Sequence, residues 1–515
     1  MSRLPTLLGS FAWMIVFAVT SSGFADWPQY SGPDGAYTPP VTGLALVEDA
    51  NAIERVWVSE YDQIGQGKFG AMARRFAESH PRGDLAPFGG MSWPVIADGI
   101  VYQVHFIAKY RSDDRSSDHN SAFGAVADDV LVAIDAATGK TLWVKKHEGS
   151  GLTWWQTKRG GWGASAAVAD GKVIHVGTAG NVWCYNAKTG EEVWASALGK
   201  THEGLSRLRD KLTAEGKSLT GMLQVHPVIV GGVVVAASPG KKLASLHGLE
   251  LKSGKLLWTA ESVIEPGVTP GLWKHDGATD LIVHDGGGTI TCPAPETGKP
   301  RWTFSVPAND LISPIIEGDI LLLNVDGKTS DPKHRGRYGG IRLKPDGAEL
   351  AWTLPDNPLY GKEYTKDHGG SRRAIGRDGR FIIAVDGPNK QTDPNRVDNL
   401  RLLVVDAQTG KVLDETPHGP DIGAASGTPA LSAMLLAEDR LIAHVDPVHA
   451  TRPSGITLFR YADGKLTFLS NKADWPDDPT AGGYDVNYTH AYSDGRIYLR
   501  TASGQIACYD LRRSK

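Results

Sequence analysis

The stretch Asp135-Ala136-Ala137-Thr138-Gly139-Lys140, with Trp143 four residues after its glycine, decides the fold because it returns along the chain. Copies stand at Asn186-Ala187-Lys188-Thr189-Gly190 with Trp194, at Glu250-Leu251-Lys252-Ser253-Gly254-Lys255 with Trp258, and at Pro295-Glu296-Thr297-Gly298-Lys299 with Trp302. Lys344-Pro345-Asp346-Gly347 carries Trp352 one place late. Asp406-Ala407-Gln408-Thr409-Gly410-Lys411 and Tyr461-Ala462-Asp463-Gly464-Lys465 lack the tryptophan. The glycines lie 51, 64, 44, 49, 63 and 54 residues apart. Such a period fits one four-stranded sheet plus variable loops, and it marks a repeat array rather than separate domains. In the copies that open on Asp or Asn that side chain bonds back to the backbone, and Gly takes the positive φ that closes the turn. The tryptophan that follows can bury about 150–250 Å² against the next repeat.

Ahead of each turn lies a strand pair closed by Asp-Gly or Gly-Gly, a strong hairpin signal. Val95-Ile96-Ala97-Asp98-Gly99-Ile100-Val101-Tyr102 is one example, and Val228 to Val234 around Gly231-Gly232 is another. The same hairpin recurs around Gly171, Gly277, Gly318, Gly379, Asp439 and Gly495, which makes eight. Seven turns and eight hairpins are reconciled if the last repeat borrows its outermost strand from the start of the chain. Ile53-Glu54-Arg55-Val56-Trp57 fits that place, beside Gln505 to Asp510 as third strand. Closure of this kind removes exposed sheet edges. The expectation is an all-β, eight-bladed propeller over 51–515, preceded by an extension at 26–50.

The chain has 515 residues, 41% hydrophobic and 22% charged, a globular composition. Its 54 Lys and Arg against 58 Asp and Glu give a net charge of −4, with no basic block to follow a phosphate backbone, so nucleic acid is excluded as a partner. Residues 1–25 read as a cleavable export signal: Arg3, an apolar run from Leu7 to Val19, then Gly23-Phe24-Ala25 before the cut. No cysteine follows the cut to accept a lipid, and no later stretch is apolar enough for a transmembrane helix. The expected product is exported, periplasmic or secreted, without a lipid anchor, and monomeric. Cys184, Cys292 and Cys508 are too far apart in sequence for a CxxC metal or haem motif.

The repeated Thr-Gly turns with tryptophan resemble the PQQ-like eight-bladed propellers. That family is typified by pyrroloquinoline quinone (PQQ) dehydrogenases and by the lipoprotein propeller of the outer-membrane assembly machinery. The resemblance extends over most of the chain after about residue 50, and it implies architecture more strongly than activity. It brings PQQ and Ca²⁺ into consideration as cofactors. The adjacent Cys-Cys pair that alcohol-oxidising members place against the quinone has no counterpart here, and the lipid-accepting cysteine of the assembly lipoprotein is absent too.

Propeller ligands sit at the mouth of the axial channel, where loops lead into the innermost strands. On that basis the candidate cofactor-binding residues are Trp93, Trp162, Gln224, His226, His368, Arg372 and His490. Tryptophan offers a stacking face, Arg a bidentate clamp, and the neighbouring glycines allow close backbone approach. Trp155 and Arg373 belong to the same segments. His226 and His490, with Asp485, are the candidate catalytic set, since two imidazoles facing one channel could serve as acid and base or bind metal. The plainer reading makes each tryptophan a hydrophobic plug and each histidine a hydrogen-bonded core residue. Lys109 to His119 reads as a solvated loop and Thr201 to Lys217 as an amphipathic helical insertion.

The leading expectation is a module that binds a small molecule, a carbohydrate or an envelope protein through its central funnel. The alternatives are a PQQ- and Ca²⁺-dependent dehydrogenase of alcohols or sugars, a histidine-based hydrolase or lyase, and an envelope assembly scaffold.

Overall fold

The computed structural model describes residues 26–33, 35–64, 92–109, 125–153, 163–198, 224–240, 243–308, 313–325, 337–354, 374–386, 400–417, 428–448, 455–473, 475, 490–501 and 504–513. They form eight four-stranded antiparallel sheets, each sequential in chain order except the last. That sheet pairs β30 (His490–Ser493), β31 (Arg496–Arg500) and β32 (Ile506–Asp510) with the N-terminal β1 (Glu54–Val58), through Glu54↔Asp510, Arg55↔Tyr509, Trp57↔Cys508 and Val58↔Ala507. The borrowed strand therefore closes an eight-bladed β-propeller, as the repeat arithmetic requires.

The first strands of the blades are β2 (Val95–Ala97), β6 (Ala167–Ala169), β10 (Val228–Val230), β14 (Gly271–His275), β18 (Ile315–Glu317), β22 (Ala374–Arg377), β26 (Thr428–Ala437) and β30. They lie against one another around the axis. Inner hairpins use the left-handed region at both central residues, as at Asp98 (φ 50) and Gly99 (φ 74), which explains the Asp-Gly signature. In the Thr-Gly turns the side chain closes the loop: Asp135 Oδ1 accepts from Thr138 N at 2.8 Å and from Ala137 N at 3.1 Å.

Five docking tryptophans, Trp57, Trp143, Trp194, Trp258 and Trp352, lie on the turn glycine of the next blade. A Cβ on Gly254 would stand 2.5 Å from the Trp194 ring, and one on Gly139 would stand 2.7 Å from Trp57. Only glycine allows that approach, and it also supplies the positive φ. The indole N–H then donates to a carbonyl three residues before that glycine. The bonds are Trp57 to Ala136 at 3.1 Å, Trp194 to Leu251 at 2.9 Å, Trp258 to Pro295 at 2.7 Å and Trp352 to Ala407 at 2.7 Å. Trp302 is the exception. The turn it faces is the two-residue hairpin between Lys344 and Gly347, which lacks the carbonyl, and the Trp302 Nε1 has no partner among the described residues. Where blade 6 lacks the tryptophan, Asp414 Oδ2 accepts from Leu466 N of blade 7 at 2.8 Å and makes a polar clasp instead.

The segment ahead of β1 does not stand off the ring. Trp27 exchanges both backbone bonds with Ile96 at 2.9 and 2.8 Å, Val168 N donates to Pro28 O at 2.8 Å, and Gly376 N donates to Ala36 O at 3.1 Å. Arg377 holds Pro39 O at 2.7 Å, Glu438 accepts from Thr42 N at 3.0 Å and Gly43 N at 2.9 Å, and Val47 N reaches Leu511 O at 2.8 Å. Lys274 Nζ donates to Pro33 O at 3.2 Å, so residues 26–47 pass in turn along the inner edges of blades 1, 2, 4 and 6 and on to blades 7 and 8. Trp27, Tyr30 and Tyr37 are buried.

These contacts rank the tryptophans. Trp258→Phe forfeits a buried hydrogen bond and Trp302→Phe does not, so the first is expected to cost about 1 kcal/mol more in chemical denaturation. Gly254→Ala, which drives a methyl into the Trp194 ring at a positive φ, is expected to cost more than about 1 kcal/mol. Equal costs for the two tryptophan variants would contradict the docking scheme.

Candidate functional site at the propeller axis

Two residues before each of five innermost strands, one position repeats a single contact. Trp93 N donates to Ser165 Oγ at 2.7 Å, Ser165 N to His226 Nδ1 at 2.7 Å, His226 N to Thr269 Oγ1 at 3.1 Å, and Thr269 N to Ser313 Oγ at 3.0 Å. The entrances of blades 1 to 5 are thus tied in series by side-chain acceptors. His226 is one member of this chain, and because its Nδ1 accepts, the proton sits on Nε2. Sequence reasoning singled out His226 for its imidazole. It missed Ser165, Thr269 and Ser313, whose shared offset from the inner hairpins was the available signal.

Tyr30 covers this layer. Its ring stacks on His226 with centroids 3.8 Å apart and planes 8° apart, lies 4.5 Å from Trp93, and meets Tyr37 edge-on at 5.4 Å. Trp93, Gln224 and His226 are 1–2% exposed. The structure thus brings Trp93 and His226 together, beneath the chain's own N-terminal segment. His490 lies elsewhere, in blade 8, separated from the His226 blade by two blades. Its Nε2 is 2.9 Å from His444 Nδ1, the two rings are parallel with centroids 5.0 Å apart, and Trp475 meets both edge-on. Trp155, Trp162, His368, Arg372, Arg373 and Asp485 lie outside the described residues, as do the insertion at 201–217 and most of the 109–119 loop.

A second polar group joins blades 1 and 2. Asp129 is buried and accepts from Thr178 N and Oγ1, both at 2.9 Å, and from Ser150 Oγ at 2.8 Å. Burial pushes its carboxyl above the ordinary range, partly offset by those bonds. Gly151 and Gly177 leave room for it, since a Cβ on either would fall within 2.8 Å of its oxygens. This is a latch between blades.

The described site favours neutral groups. Burial pushes His105 down to about 3, with Arg500 adding to the effect, and holds His175 and His444 well below the usual imidazole range. Burial also pushes the Cys184, Cys292 and Cys508 thiols up to about 12, and the three sit in blades 2, 4 and 8. Among the described residues no three His, Cys, Asp or Glu side chains gather as a metal site. No helix among them is long and apolar enough to cross a membrane.

A histidine depressed in the folded state takes up its proton on unfolding. Stability is therefore full above about pH 6.5 and falls as pH drops below it, by about 1.4 kcal/mol per pH unit for each such histidine. For His105 the loss continues down to about pH 3. Stability measured against pH should lose about one proton of dependence in His105→Gln; an unchanged slope would contradict the assignment.

The family model described as outer membrane protein assembly factor BamB matches residues 127–270 and 242–443. No curated protein matches the chain. Among solved structures, quinohemoprotein alcohol dehydrogenase from Comamonas testosteroni is 13% identical with a TM-score of 0.50, covering 95% of this chain and 81% of its own. BamB from Moraxella catarrhalis is 12% identical with a TM-score of 0.47, covering 89% of this chain and all of its own. A europium-containing methanol dehydrogenase is 12% identical with a TM-score of 0.49, covering 92% and 89%. At these identities the likeness is one of fold.

Proposed function

The chain belongs to the family described as outer membrane protein assembly factor BamB, and from that premise we propose that it is an exported envelope propeller that binds a protein partner rather than oxidising a substrate through a quinone. One observation carries the reading: residues 26–47 occupy the axis, with Tyr30 stacked on His226 and packed on Trp93. A planar quinone seated on those residues would have to displace Tyr30. The described residues therefore do not fit PQQ at this level of the channel, and no reaction step is derived through it. The three cysteines are also too dispersed to pair beside a cofactor. His226 and His490, held in separate blades and engaged by Ser165, Thr269 and His444, give no support to a joint acid–base role.

In this reading the signal at 1–25 directs export. Residues 26–47 then seal the ring, and the surface around the sealed axis meets the partner as a rigid platform. A carbohydrate or small molecule is the less favoured ligand, because the described axis offers packed aromatic rings rather than an open cleft.

Titration of the mature protein with PQQ and Ca²⁺ tests it, with thermal midpoint, quinone spectrum and dye-linked oxidation of alcohols and sugars recorded together. The expected result is no saturable shift and no turnover. A one-to-one shift accompanied by turnover would replace the partner-binding reading with a dehydrogenase.

A further inference from the structure

The N-terminal strap, residues 26–47, first meets the ring at the inner turn of blade 1. Trp27 is fully buried and exchanges both backbone bonds with Ile96, Trp27 N to Ile96 O at 2.9 Å and Ile96 N to Trp27 O at 2.8 Å. In an antiparallel pair such doubly bonded partners recur at every second residue, so the next rung would join position 25 to Asp98. That rung is filled in another way: Asp98 N donates to Asp26 Oδ2 at 3.3 Å. The Asp26 side chain thus does what the carbonyl of residue 25 would do in a longer ladder, and the pairing is complete from Asp26 onward.

The other oxygen of that carboxyl, Asp26 Oδ1, is buried and has no hydrogen-bond partner. Burial pushes the Asp26 carboxyl above its ordinary range; the bond from Asp98 N works against this, and the Asp98 carboxylate adds to it. Neither acid has an ion-pair partner among the described residues. The remaining titratable groups nearby do not supply one. Tyr102 donates to Ala187 O at 2.9 Å, and burial holds its phenol above the ordinary range, so it stays neutral. The inner hairpins of the flanking blades bring one acid and one base each, Asp170 with Lys172 and Asp494 with Arg496. Two neighbouring carboxyl groups, one with an orphaned oxygen, thus lack a cation at the residue where the strap begins. The leader motif ends on Ala25, so a cut there would free an α-ammonium on Asp26 itself.

We propose that cutting after Ala25 locks the strap into the axis, because the α-ammonium freed on Asp26 pairs with the carboxylates of Asp26 and Asp98. Water adds across the Ala25–Asp26 peptide bond: the hydroxyl goes to the Ala25 carbonyl carbon, the hydrogen to the Asp26 nitrogen, and the new amine takes up a proton at neutral pH. In the uncut chain the same nitrogen is an uncharged amide, and the two carboxyl groups oppose each other. The order of events follows from burial. An endopeptidase needs exposed, extended chain on both sides of the bond it cuts, whereas seated Trp27 is buried with both backbone groups on Ile96. The cut therefore comes first and the axis closes after it. The inference rests on the export reading of residues 1–25 and adds what removal of the leader does to the ring.

Two chains test it, one beginning at Asp26 and one at Phe24, whose two extra residues keep the Asp26 nitrogen an amide. Amide exchange of the peptide holding Ile96, corrected for the intrinsic rate at each pH, is expected to be at least about tenfold slower in the Asp26 chain at pH 7. That advantage belongs to a cation whose pKa is raised by folding. It is full below about pH 8, the ordinary range of an α-amine, and is lost as pH rises through the folded value, so the two chains should exchange alike by about pH 10. Asp98→Asn, at an exposed left-handed position that asparagine accepts, should abolish most of the difference at pH 7 with the turn intact. The intact mass of protein exported from cells carrying the full chain gives the first residue. Equal exchange in the two chains at pH 7, a difference that survives undiminished at the alkaline end, indifference to Asp98→Asn, or a first residue other than Asp26 would overturn the inference and leave the export reading standing. A chain retained uncut inside the cell would remove the export reading and the inference with it.

Discussion

The innermost strand of each blade has only one neighbour. In β2 the pairs Val95↔Tyr102 and Ala97↔Ile100 face β3, which leaves the N–H and C=O of Ile96 turned toward the axis with no strand to meet them. A ring of such edges around a narrow channel would leave polar backbone either unsatisfied or wet. In this chain the N-terminal segment supplies the missing partners: Trp27 for Ile96, Pro28 for Val168 and Ala36 for Gly376. Proline at 28 is tolerated there because the contact uses its carbonyl. Everything at the axis follows from that seating. Tyr30 is carried onto His226, and Arg377 and Arg440 find their carbonyl partners.

Around the perimeter a different device operates. Five of the blades are held to the next by an indole lying on a glycine, with a hydrogen bond to the same turn, and the ring is closed by pairing the two chain ends. The scheme tolerates exceptions where another contact fits the local turn. Asp414 clasps Leu466 in place of a tryptophan, and Trp302 keeps its packing while losing its acceptor. The perimeter therefore needs no single core. The axis needs its strap.

The perimeter was legible in the sequence because its chemistry is local. Asp-Ala-x-Thr-Gly-Lys encodes a turn through bonds within a few residues, and Trp143, Trp194 and Trp258 stand at a fixed offset from it. Counting hairpins against turns even places β1 beside β32. The axis was not legible, because its contacts join residues hundreds of positions apart, such as Thr38 with Gly376 or Arg440 with Leu46. Nothing in the run Asp26 to Gly35 marks Trp27 as the partner of Ile96 or Tyr30 as the cover of His226. His226 and Trp93 each lie two residues ahead of an innermost strand, but nothing in their own segments reveals the ring that covers them.

The central claim is that residues 26–47 are built into the axis as part of the ring. Amide hydrogen exchange read by mass spectrometry, on the mature protein and on a Trp27→Ala/Tyr30→Ala variant, tests it most directly at Ile96, Val168 and Gly376. The account predicts strong protection of the peptides holding these amides in the mature protein, and selective loss of it in the variant while the outer strands stay protected. Fast exchange at these amides in the mature protein would contradict it.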